Sequence, residues 1–413
     1  MKLRTLVCLG LIVFAVSFAS AQQSPSLPGS LVDWTQFNFD SARDGYNPFE
    51  TVLNPSNVAN VSMKWSYVPT EGPVQGQPAI ANGMVYVVAG STTSGHGAVY
   101  AINAQTGAFI WKFMPGLLLG APALANGLVY VNNGGVTALD ANTGAVVWQA
   151  SDSGGISVTV ANNVVYADSF ESPGVDALNG STGKFIWRHA LNAYLTSPPA
   201  VANGAVYAVA KDGGVYALDV NTGVTLWSRQ LGISPTPQAT IYSTTGGLSV
   251  GNGVVYVEAA DAKSRPPRNY NVWALDANTG ATIWKSGSIG NVSGFGTTPA
   301  VANGTVYVGS SGYVNAFNAS TGAPIWQYQP DAGDVGSPVV ANGVVYVGWW
   351  KLAGFGTGYY TNAALDATTG NVLWNWTDFQ GEEDVAATPA VVNGVIYGAR
   401  IPSGGTGAFS LPN

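Results

Sequence analysis

The sequence predicts an all-β fold: an eight-bladed β-propeller of four-stranded antiparallel blades, its ring closed by an N-terminal strand that completes the last blade. Three observations carry this expectation. One unit recurs along the chain, clearest as Pro338-Val-Val-Ala-Asn342-Gly343-Val-Val-Tyr346, a loop, then Ala364-Leu365-Asp366-Ala367-Thr-Thr369-Gly370-Asn-Val-Leu-Trp374. Its landmarks repeat eight times, as Tyr86, Tyr130, Tyr166, Tyr207, Tyr256, Tyr307, Tyr346 and Tyr397, and as Trp65, Trp111, Trp148, Trp187, Trp227, Trp284, Trp326 and Trp374. The two series are out of step by one: Trp65 precedes every Tyr landmark, and the unit of Tyr397 stops at Phe409-Ser-Leu411 without a Trp. A lone fourth strand at one end and a three-strand unit at the other combine into one blade if the ring closes. Repeats spaced by 37 to 57 residues from Trp to Trp fit four short strands each.

Taken in chain order, residues 1–21 read as a secretory signal peptide. Lys2 and Arg4 precede an apolar run from Leu6 to Ala19, and Ala19-Ser20-Ala21 offers small residues before a cut after Ala21. The run is short of the ~20 apolar residues that span a bilayer. The one Cys, Cys8, lies inside it, so neither a lipid anchor at the cut nor a disulfide is expected in the mature chain. Residues 22–60 form a lead-in segment, and residues 61–413 the propeller. Within each blade, strand A is the Pro-Ala-Val-Ala type segment. Asn-Gly then makes a two-residue turn, because both residues tolerate positive φ. Strand B is the Val-Val-Tyr-Val type segment, and a variable loop leads to strand C, of the Val-Tyr-Ala-Leu type. Asp or Asn followed by Ala-x-Thr-Gly turns the chain into strand D, which ends on Trp. β-branched and aromatic residues throughout suit strands buried on both faces.

Composition narrows function by exclusion. The mature chain carries 13 basic against 22 acidic residues, which argues against nucleic acid or an anionic membrane as partner. His96 and His189 are the only histidines and lie far apart in sequence, so no His-rich metal site is expected; no Gly-x-Ser-x-Gly elbow accompanies them. The repeated Trp residues read as structural, holding blades together. Asp140, Asp219, Asp276 and Asp366 share one turn position with Asn103, Asn179 and Asn318. Asn keeps the local hydrogen bonds without the charge, so the position makes a turn and does no acid–base work.

In a four-stranded blade the A–B and C–D turns share one face, and the B–C and D–A loops the other. The first face is uniform; the second varies, and binding residues gather on variable loops of a rigid scaffold. The candidate ligand face is Arg265, Arg268 and Tyr270 in the blade 5 B–C insert, with Trp349, Trp350, Tyr359 and Tyr360 in that of blade 7. The cations suit an anionic ligand and the rings a planar ring or a sugar; solvation of the loop and packing on the blade are the alternatives. Glu382 and Asp384, before blade 8, are candidate ligands for Ca²⁺ together with backbone oxygens.

The motif Ala-Leu-Asp-Ala-x-Thr-Gly-x-x-x-Trp resembles the tryptophan-docking repeat of PQQ-type (pyrroloquinoline quinone) propellers, over nearly all of residues 62–411. Asp33-Trp34 … Asp40 … Arg43-Asp-Gly45-Tyr-Asn47-Pro48 … Asn57-Val58 … Trp65 resembles the lead-in of the same superfamily. The resemblance implies two branches. Quinoprotein alcohol dehydrogenases hold PQQ and Ca²⁺ on the propeller axis, and Glu171 stands in the type of loop from which they offer a Ca²⁺-binding Glu. The other branch is similar to the propeller lipoprotein of the outer-membrane β-barrel assembly machine, a docking surface. The chain lacks the adjacent Cys pair and the haem motif of the enzymes, and the lipid anchor of the assembly protein. The expectation is therefore a secreted or periplasmic, monomeric, non-catalytic scaffold that binds a protein, small molecule or glycan on the B–C/D–A loop face. The competing expectation is a PQQ- and Ca²⁺-dependent dehydrogenase acting on an alcohol or sugar.

Overall fold

Strands of two to eleven residues, rich in Val, Ala and Tyr and separated by tight turns, assemble into eight sheets with almost no helix among the described residues. The computed structural model describes residues 31–91, 96–116, 119–151, 158–169, 172–231, 245–260, 270–290, 297–310, 312–331, 334–354, 357–380, 388–401 and 404–412. The expected signal peptide lies outside these residues. Blade 1 shows the order that all share: strand A (Val74–Ala81), B (Met84–Ser91), C (His96–Asn103) and D (Phe109–Gly116), each hydrogen-bonded to the next. Blades 2 to 7 occupy residues 119–150, 159–190, 200–230, 245–285, 300–328 and 339–380. Blade 8 takes strands A to C from residues 390–410 and strand D from Ser62–Tyr67, which pairs antiparallel with Gly405–Ser410. The ring closes as the offset between the Tyr and Trp series requires.

Each turn takes the expected conformation for a chemical reason. The first residue of all eight A–B turns is an Asn at φ between 44° and 54°, a left-handed region that Asn tolerates; the next residue is Gly in seven of them and Asn163 in blade 3. In the C–D turns one side-chain oxygen does the folding. Asp219 Oδ1 accepts the N–H of Asn221 at 3.1 Å, the N–H of Thr222 at 2.9 Å and the hydroxyl of Thr222 at 2.8 Å. Asn179 Oδ1 accepts the equivalent bonds from Thr182. These bonds hold the Asp140, Asp219 and Asp276 carboxyls below their ordinary range, with the threonine hydroxyl the main cause.

Blades are joined by the landmark residues. In every strand D a β-bulge falls just before the Trp, shifting the register against strand C. The bulge swings the indole onto the next blade. There Trp187 covers Gly223, where an added Cβ would stand 2.5 Å from the ring, and Trp187 Nε1 donates to Val220 O at 3.1 Å. The Tyr hydroxyl of strand B reaches the same carbonyl: Tyr207 and Trp227 both donate to Ala277 O, at 3.1 and 2.8 Å. The pattern breaks once. Blade 8 is assembled from two chain ends and has no C–D turn, so Trp374 packs edge-on against Phe409 at 5.2 Å instead. The Tyr346 hydroxyl is left buried without a partner among the described residues.

Candidate functional site

Strand A is the innermost strand of each blade, and its outer backbone edge faces the ring axis. Eight such edges would leave unpaired donors around a central hole. The lead-in fills them with fourteen residues. Trp34 exchanges two bonds with Ile80 of blade 1, both 2.7 Å. The carbonyl of Thr35 accepts from Leu124, and the side-chain oxygen of Gln36 from Val160. The carbonyls of Ser41, Ala42, Asp44 and Gly45 accept from Val201, Val250, Val301 and Val340. Asn47 Nδ2 donates to Val391 O at 2.8 Å. The eight partners hold the same position, shortly before the A–B turn, in blades 1 to 8 in order. The lead-in thus closes the axis at the turn face, and the B–C and D–A loops surround its other end.

Three non-glycine lead-in residues adopt positive φ to make this path: Asn38 at 57°, Phe39 at 77° and Arg43 at 59°. Left-handed backbone at a non-glycine residue is unusual, and the density of hydrogen bonds around it holds it here. Asp40 and Asp44 close local turns, with Asp40 Oδ1 accepting the Arg43 N–H and Asp44 Oδ1 the Tyr46 N–H, both at 2.9 Å. Burial raises Asp40 to about 6; burial and then the Asp40 charge push Asp44 well above its ordinary range. Arg43 is buried at 1% exposure and forms no ion pair with any carboxylate of the described residues. Burial alone lowers its pKa to about 9. Its guanidinium sits 4.8 Å from the Phe37 ring centroid and donates from Nη1 to Pro198 O. Nε has no partner, and neither amide atom of the fully buried Asn38 has one among the described residues.

A second buried ionisable group lies in blade 5. Glu258 follows Tyr256 by two residues on strand B and faces blade 6, where it meets the Thr297 hydroxyl. That hydroxyl also lies 2.8 Å from Gly309 O. It has one proton, so when it donates to the carbonyl, Glu258 must donate to it and carry a proton itself. Burial raises Glu258 to about 8, against the lesser opposing effect of Thr297. The equivalent position is Asn132 in blade 2 and Asp168 in blade 3, and Val, Gly or Ala in the other blades.

The residues expected to form the ligand face are not brought together. Arg265, Arg268, Glu171, Glu382 and Asp384 lie outside the described residues. The blade 7 connection, read as a loop, is the end of a long hairpin of Val344–Gly354 and Thr357–Asp366. There Trp349 and Trp350 are 6% exposed and Tyr360 1%, packed among the cores of blades 6 to 8. Tyr270 is buried as well, and Tyr359 alone of the five aromatic candidates is exposed, at 42%. Alternation along the hairpin turns Tyr360 inward and Tyr359 outward.

One surface the sequence reading passed over is the outer rim. Strands A to C are buried as expected, but strand D is not. Phe109, Val146, Phe185, Leu226, Ile283, Ile325 and Val372 are exposed, one in each of blades 1 to 7. All stand one or two residues before the Trp, beside the bulge. The signal was the apolar pair that precedes Trp in four of the eight repeats, where simple alternation would place only one residue inward.

A family model described as outer membrane protein assembly factor BamB matches residues 56–154, 132–264 and 268–406, most of the chain, on its PQQ-type repeats. The chain belongs to this PQQ-repeat propeller family. Its curated relatives include the tetrathionate hydrolase of Acidithiobacillus ferrooxidans, 26% identical over 61% of this chain and 57% of that protein. BamB of Moranella endobia is 27% identical over 55% of this chain and 59% of that protein. The quinohemoprotein alcohol dehydrogenase of Comamonas testosteroni is 26% identical over 44% and 28%. The chain thus spans less than two thirds of the length of these relatives. Among solved structures, BamB from Moraxella catarrhalis superposes with a TM-score of 0.62 at 18% identity, covering 85% of this chain and 97% of that one. That likeness speaks to the PQQ-repeat propeller's fold.

Proposed function

We propose that this PQQ-repeat propeller is a non-catalytic protein-interaction scaffold of the cell envelope, acting after secretion with its first 21 residues removed. The observation that carries the reading is the apolar rim. Large hydrophobic side chains exposed beside the bulge in seven of eight blades are a surface that a lone soluble molecule has reason to avoid and a docking platform has reason to keep. The Trp, Tyr and Asx residues that reveal the family are consumed in holding blades together, and the BamB relatives support the same reading. The partner of the rim is a protein with an apolar face; the B–C/D–A loops, with Tyr359 exposed among them, extend the surface.

The family also implies PQQ and Ca²⁺. The candidate Ca²⁺ ligands Glu171, Glu382 and Asp384 lie outside the described residues. Trp349, Trp350, Tyr270 and Tyr360 are buried in packing and offer no free face to a planar cofactor.

The test places photo-crosslinking side chains at Phe185, Ile186 and Leu226, and at Tyr359, in cells of the native host. Discrete protein adducts from the rim are expected, and Phe185→Ser with Leu226→Ser should remove them without unfolding the ring. Absence of adducts from all four positions would reject the scaffold. A thermal shift with PQQ plus Ca²⁺, together with dye-linked oxidation of an alcohol or aldose, would replace it with the dehydrogenase reading.

A further inference from the structure

We propose that Arg43 forms the floor of an oxyanion-binding site on the propeller axis, entered from the end surrounded by the B–C and D–A loops. The direction of the side chain is fixed by its bonds. The backbone around it is held at the level of Val201 and Val250, whose N–H groups donate to Ser41 and Ala42. Its Nη1 donates to Pro198 O, three residues before Val201 and just ahead of the inner strand of blade 4. The side chain therefore runs along the axis, away from the turn face. The lead-in closes the axis behind it, on the turn face.

What the guanidinium lacks defines the ligand. Phe37 covers one of its faces at 4.8 Å and Pro198 takes one donor. Nε, one arm of the side-on fork that it forms with Nη2, carries no partner among the described residues. Two parallel N–H donors match two oxygens of one carboxylate, sulfate or phosphate group. A buried cation without a counter-charge is costly, and folded proteins compensate it. Asp40 and Asp44 do not: each closes its own turn, and neither forms an ion pair with Arg43. Asn38 supplies a second unsatisfied group. Its backbone N–H donates to Gln77 Oε1, and Gln77 Nε2 donates to Pro389 O. This anchors Asn38 at the junction of blades 8 and 1, across the ring from blade 4, with its amide buried and unpartnered. A cationic fork on one side of the axis and an amide on the other suit a small oxyanion between them.

The experiment is thermal unfolding of the mature chain at pH 7 and fixed ionic strength set with sodium chloride, titrated with sodium oxalate or sodium sulfate. A saturable rise in Tm is expected from at least one of the two, about 3 °C at a hundred times the midpoint concentration. Response to oxalate alone assigns a carboxylate, and to sulfate alone a tetrahedral oxyanion. Arg43→Lys keeps the charge and loses the fork, so its midpoint should weaken at least tenfold. Arg43→Met should show no response while unfolding at or above the temperature of the anion-free parent, because a buried unpaired charge has been removed. Asn38→Gly keeps the left-handed backbone and should weaken the midpoint, whereas Lys184→Gln on the outer surface should not. The proposal fails if neither anion gives a saturable rise, if Arg43→Lys responds as the parent does, or if Arg43→Met folds but melts lower than the anion-free parent, which would make Arg43 a brace for Pro198 only.

Discussion

At position 258 a carboxyl interrupts a strand that elsewhere reads Val-Tyr-Val, and its surroundings keep it protonated. The folded state holds that proton up to about pH 8, against an ordinary value of 4.5. A group with a raised folded pKa favours folding fully below the unfolded value, and the contribution declines as pH rises between the two values. Glu258→Gln cannot ionise and can still donate to Thr297. It is expected to match the parent near pH 4.5, to unfold several degrees higher at pH 8, and to flatten the fall in Tm between; equal melting at pH 8 would show the carboxyl to be solvated. Asp219 and its equivalents show the opposite behaviour, their charge held by threonine, and the interchange of Asp with Asn at that position made the role legible in the sequence. Glu258 was legible only as a polar residue in an apolar pattern. Arg43 was visible as a lead-in residue, but nothing in its neighbours states that its side chain ends without a counter-charge.

Among the elements, strand D does two things at once. Its bulge presents the Trp to the next blade and leaves the preceding apolar residues on the rim. The docking geometry predicts unequal roles for residues that look identical in sequence. Trp187→Phe loses a hydrogen bond to Val220 O and ring contact with Gly223, and is expected to destabilise by about 1–2 kcal/mol. Trp374 has no such turn to cover, so Trp374→Phe is expected to cost less, under about 1 kcal/mol, by denaturant unfolding. Equal losses would mean that the carbonyl bond contributes nothing. Period, turn chemistry and landmark spacing made strands A to D legible. The blade 7 hairpin was misread as loop because its Gly-rich stretch carries turn signals, while Trp349 and Tyr360 pack as strand residues. The bulge itself left no signal beyond the apolar pair.

For the whole molecule, the offset between Tyr and Trp fixed both the number of blades and the mode of closure, because a ring of repeats must account for every strand. The axial path of the lead-in was not legible, since it bonds mainly through its own carbonyls and follows no period. Deleting residues 22–68 removes both the axial contacts and strand D of blade 8. The truncated chain is expected to lose more than 10 °C of Tm and the sharpness of its transition; melting with the full mature chain would refute closure by the N-terminal strand.

The lead-in also orders events in time. Trp34–Asn47 and Ser62–Tyr67 leave the ribosome before any blade exists, yet their last partners, Val391 and Gly405–Ser410, come roughly 340 residues later. At ~5–20 residues per second that interval is on the order of 20 to 70 s. The earliest part of the nascent chain is therefore the last to reach its native contacts. A chaperone that holds this chain during synthesis would have to bind the N-terminal segment, since each completed blade can already pack on the one before it.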